Sequence, residues 1–72
     1  MNQHPRAVRE DLESALVNVE EARKLIIEKI DEENKKEEPN QKRLFLLVDW
    51  KLALLDVKMS LKNIVADLHK IE

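Results

Sequence analysis

Lys42, Arg43, Lys51, Lys58 and Lys62, with Phe45 among them, are the first side chains in this chain to weigh for chemistry. Cations that can meet phosphates, beside a ring that can stack on a base, are the equipment of a nucleic-acid contact. Two considerations weigh against it. The formal net charge of −2 gives no general attraction to a polyanion. Lysines bordering an apolar seam also lay their stems along it and keep their heads in water. Binding of RNA or DNA by these five residues is therefore the alternative reading, not the leading one.

Catalysis finds less. Ser14 and Ser60 are the only serines and fall inside helical patterns, and His4 sits close to a terminus. No Ser-His-Asp or Cys-His grouping is suggested, and without glycine no elbow can present a nucleophile and no loop can cradle a phosphate. Asp49 and Asp56 are seven residues apart, roughly 10 Å along a helix, too far for a carboxylate pair and better read as a solvated strip. A metal site in a helical bundle needs Glu-x-x-His pairs pointing inward. Here Ala66 stands three before His69 and Met1 three before His4. His69, with Asp67 and Glu72 nearby, reads as a favourable charge at a helix C-terminus. The acids Glu10, Glu13, Glu20, Glu21 and Glu28 could imitate nucleic-acid charge, but a solvated face is the commoner explanation. No catalytic, cofactor-binding or metal residue is assigned, and the chain is expected not to be an enzyme.

The elements that carry these residues are helices. Charged residues make up 39% of the chain and hydrophobic ones 43%, with both signs mixed, which suits amphipathic helices better than disorder. The 72 residues allow one domain near the lower size limit for independent folding, and the absence of cysteine removes disulfides as reinforcement. Pro39 in the stretch EEPNQK cannot continue a helix, and Asn40 suits the N-cap of the next. His4-Pro5 resembles a helix start. The pattern predicts a helix over about 5–36, a turn over about 37–40 and a helix over about 41–71. Two long helices of equal length joined by so short a turn predict an antiparallel hairpin in an all-α protein.

The two helices differ in their apolar patterns. Helix 1 has one stripe, Val8, Leu12, Ala15, Val19, Ala22 and Ile26, widened by Leu16 and Ile30. Helix 2 has two. The long seam is Leu47, Trp50, Leu54, Val57, Leu61, Ile64, Leu68 and Ile71. The short seam is Phe45, Val48, Leu52, Leu55 and Met59, ending at Lys62. Narrow polar strips separate them: Asp49, Asp56 and Asn63 on one side, Lys51 and Lys58 on the other. Helix 1 can cover one seam, expected to be the long one, with Trp50 in the core and its N–H on a helix 1 carboxylate. The short seam then stays exposed as an apolar patch that marks an interaction site.

Charge agrees with pairing of the two helices. Residues 1–39 hold 7 basic and 11 acidic residues, net −4, and residues 40–72 hold 6 basic and 4 acidic, net +2. The resulting expectation is a non-enzymatic hairpin that self-associates through Phe45, Val48, Leu52, Leu55 and Met59, most simply as an antiparallel homodimeric four-helix bundle. It would bind a second protein as a regulator, inhibitor or assembly adaptor. A dimer of two-helix hairpins with a basic face would resemble the plasmid RNA-binding Rop architecture, a likeness of architecture carried by no sequence motif. The N-terminus has no apolar signal segment and no run approaches a membrane span, so a cytoplasmic, non-membrane protein is expected.

Overall fold

The computed structural model describes residues 5–71. It contains two helices, α1 (Pro5–Asn34) and α2 (Gln41–His69), and no strand among the described residues. They pack against each other as an all-α hairpin. The expected helix start at His4-Pro5 is described only from Pro5, since His4 lies outside the described residues.

The boundaries follow from hydrogen bonds at the helix ends. α1 stops at Asn34, two residues short of the predicted end. The Lys35 N–H is shared between the Asp31 and Glu32 carbonyls at 3.2 and 3.3 Å, and Lys36 N–H donates to the Glu33 carbonyl at 3.2 Å. These tight bonds close the last turn before Pro39 would break it. Asn40 caps α2 as predicted: with extended backbone angles, its side-chain oxygen accepts the Arg43 N–H at 3.1 Å. At the far end Lys70 and Ile71 make similar tight bonds to Asp67 and Leu68, both 3.1 Å, so α2 ends at His69 rather than at 71.

Glu33 organises the connection. It sits at the C-terminal end of α1, where a negative charge is unfavourable, but also beside the N-terminus of α2, where it is favourable. Its carboxylate accepts the Asn40 N–H at 3.0 Å and a hydrogen bond from Lys36 Nζ at 3.0 Å, and it pairs with Arg43 Nε at 3.4 Å. With 3% of its surface exposed, it is the one buried charged residue among those described.

The Asn40 N–H above all, then Lys36 and the charge of Arg43, hold the Glu33 carboxyl below the usual glutamate value, against the opposing effect of desolvation. A carboxyl depressed in the folded state stabilises the fold above its unfolded value near 4.5, and that contribution is lost as pH falls through the folded value. The thermal midpoint should therefore drop on acidification below about pH 4.5, and Glu33→Gln should be less stable at pH 7 with a shallower acid limb. A variant that tracks the native protein at every pH would remove Glu33 from this role.

The α1 stripe packs as predicted, with Val8, Leu12, Ala15, Leu16, Val19, Ala22, Ile26 and Ile30 all half-buried. α2 presents a different side from the one expected. The residues turned toward α1 are Leu44, Leu47, Lys51, Leu54, Lys58, Leu61, Val65 and Leu68, again spaced three and four. Only half of the long seam, its four leucines, takes part. Trp50, expected in the core, is 50% exposed, and Val57, Ile64 and Ile71 are exposed with it. An ion pair accompanies the rotation. Glu20 borders the α1 stripe and ion-pairs with Lys58, which draws the lysine strip inward between the two apolar seams. Two of the stripe's central positions are the alanines 15 and 22, which leave room for lysine stems.

Little is buried as a result. Leu47, 7% exposed, is the only buried apolar residue among those described, and no side chain there is fully enclosed. The molecule measures 54 × 19 × 14 Å with a radius of gyration of 16.5 Å. A compact chain of this length would have about 11 Å.

Candidate functional site

Rotation of α2 leaves an apolar flank on each side of its contact with α1. One flank is the short seam. Phe45 is 75% exposed and Leu52 52%, Val48 and Met59 are exposed as well, and Leu55 is half-buried at its inner edge. The other flank is Leu46, Trp50, Val57 and Ile64, all exposed; the three-four spacing places the last three in the core, and Leu46 falls in neither seam. Between the flanks, on the side away from α1, run Asp49, Asp56, Ser60, Asn63 and Asp67, all exposed. α2 is thus apolar over most of its circumference, the pattern of a helix buried on several sides. That pattern was in the sequence; what hid the second flank was the choice of one seam as the partner of α1.

The accessible surface measures the same thing. The chain exposes 5847 Å². A compact folded monomer of 8.5 kDa is expected to expose about 4,700 Å², and a thin two-helix hairpin exposes more. A partner in a standard protein–protein interface gives up about 800 Å².

The five basic residues are not gathered into one free face. Arg43 pairs with Glu33 and Lys58 with Glu20, both across the hairpin. Lys51 is half-buried against α1, while Lys42 and Lys62 are exposed at separate heights along α2. Glu20 lies among cations: the Lys58 hydrogen bond chiefly, with the charges of Lys58, Arg23 and Lys62, holds its carboxyl below the usual value while desolvation opposes them. These groups border the inner end of the short seam, near Leu55 and Met59.

Ser14 and Ser60 lie exposed on helix surfaces, and among the described residues no group of three or more His, Asp or Glu is placed to hold a metal ion. Asp67 pairs with Lys70 at 3.5 Å. Among the described residues, grooves beside Phe45 and Leu46 and along α1 near Glu21, Lys24 and Glu28 are open to solvent. No described helix is long and apolar enough to cross a membrane.

No protein-family model, curated protein or solved structure matches the chain. Its own surface is what bears on its function.

Proposed function

We propose that the protein is a non-enzymatic, self-associating helical hairpin whose second helix is its binding element. Two copies join through the flank of Phe45, Val48, Leu52, Leu55 and Met59 into a homodimeric four-helix bundle. The Trp50 flank then serves a second protein, for which the hairpin acts as a cytoplasmic regulator, inhibitor or assembly adaptor. The observation that carries this reading is the imbalance in burial: one buried apolar residue among those described, against two largely exposed apolar flanks on a single helix. At ~25 cal/mol per Å², covering some 800 Å² of surface, a little over half of it apolar, contributes on the order of 10 kcal/mol per chain before the entropy cost of association is subtracted. That is comparable with the whole stability of a small domain. The reading with RNA or DNA as partner draws less support, because Arg43 and Lys58 already neutralise carboxylates of their own chain.

Sedimentation equilibrium at micromolar concentration tests the self-association. The expected mass is at least twice the 8.5 kDa of the chain. A monomer whose helix content stays constant on dilution would refute it.

A further inference from the structure

We infer that the two copies meet with their second helices side by side and parallel, Lys51 of each pairing with the partner's Asp56. The inference rests on the self-association proposed above and adds its direction. The short seam reads as heptad core positions: Phe45, Leu52 and Met59 at a, Val48 and Leu55 at d. The flanking e positions are then Asp49 and Asp56, and the flanking g positions are Leu44, Lys51 and Lys58. One rim of the seam is acidic and the other is basic.

Such rims choose an orientation. In a parallel pair, a g residue meets the e residue five places later on the partner, which sets Lys51 against the partner's Asp56 twice by symmetry. In an antiparallel pair, e meets e and g meets g. With the seam centred on Leu52, that arrangement sets Asp49 beside the partner's Asp56 and brings the two copies of Lys51 together. Like charges in contact oppose association. The groups concerned are available. Among the described residues neither Lys51 nor Asp56 has an ion-pair or hydrogen-bond partner within its own hairpin, whereas Lys58 is taken up by Glu20. Lys51 is half-buried at the edge of the contact with α1, and its stem runs beside the short seam.

Two measurements test the direction. The chain has no cysteine, so Phe45→Cys introduces a single thiol at one end of the seam. Parallel copies place the two thiols level, and mild oxidation should give a disulfide-linked dimer. Antiparallel copies place residue 45 level with residue 59, about 21 Å along the helix from the other thiol, and no cross-link forms. Separately, Asp56→Lys should weaken the dimer about tenfold by opposing Lys51, and Lys51→Glu on that background should restore it. In the antiparallel arrangement Asp56→Lys would instead strengthen the dimer by facing Asp49. A native dimer that gives no Phe45→Cys cross-link, or is tightened by Asp56→Lys, overturns the parallel direction alone. A native monomer overturns the self-association with it.

Discussion

Leu52→Asp is expected to turn the dimer into an 8.5 kDa species that loses most of its helix at micromolar concentration. Leu52 is the middle residue of the short seam and is 52% exposed in the single hairpin, so within the chain the change meets mainly solvent and a small repulsion from Asp49 and Asp56. In the dimer the residue meets its own copy. The substitution removes about 2 kcal/mol of apolar burial per chain and brings two carboxylates into one desolvated contact. A combined loss of about 5 kcal/mol or more would weaken association by at least about three orders of magnitude. Helix content should fall as well, because a hairpin with one buried apolar residue depends on association to stay folded. Leu52→Ala should weaken the dimer by a smaller amount and leave it helical at higher concentration. Mass and circular dichroism on the same samples decide the matter. If Leu52→Asp sediments as a dimer with native helicity, the short seam is not the self-association surface.

Much of the fold was legible because its signals are local. Pro39 and Asn40 announced the turn, and the structure uses Asn40 as the cap of α2. The α1 stripe was readable because that helix has one apolar side, and one side can face only one way. α2 gave no such constraint. With apolar residues around most of its circumference, periodicity alone could not say which meridian meets α1, and the unbroken long seam was the natural choice. The deciding pair, Glu20 with Lys58, joins residues 38 positions apart, and its register depends on how the turn aligns the two helices. Glu33 was hidden for the same reason: in sequence it is one acid among many, and only folding brings the Asn40 N–H and Arg43 to it. Four residues of the short seam, Phe45, Val48, Leu52 and Met59, are exposed along one side of α2, with Leu55 half-buried at its edge.

The Trp50 flank sets up the second large effect, a contrast between residues of one heptad seam. Leu47→Ala should cost about 2–4 kcal/mol, the range for a buried leucine, because it opens a cavity at the one buried apolar position among the described residues. Leu54→Ala, half-buried on the same side, should cost less. Trp50→Ala removes a larger side chain from the same seam, yet its ring is half exposed and rests at the border of the contact with α1. Its effect on stability should stay within about 1 kcal/mol, as for surface positions. Aromatic residues of this kind serve as anchors in protein interfaces, where truncation commonly costs 2 kcal/mol or more of binding. Trp50→Ala should therefore leave the dimer intact and weaken docking of the second protein by well over tenfold. Urea unfolding at one fixed protein concentration, with mass checked for each variant, measures the stability side. A Trp50→Ala cost equal to that of Leu47→Ala would mean that the indole is buried in the assembled protein. The second copy would then cover the Trp50 flank, and the short seam would be left for the foreign partner.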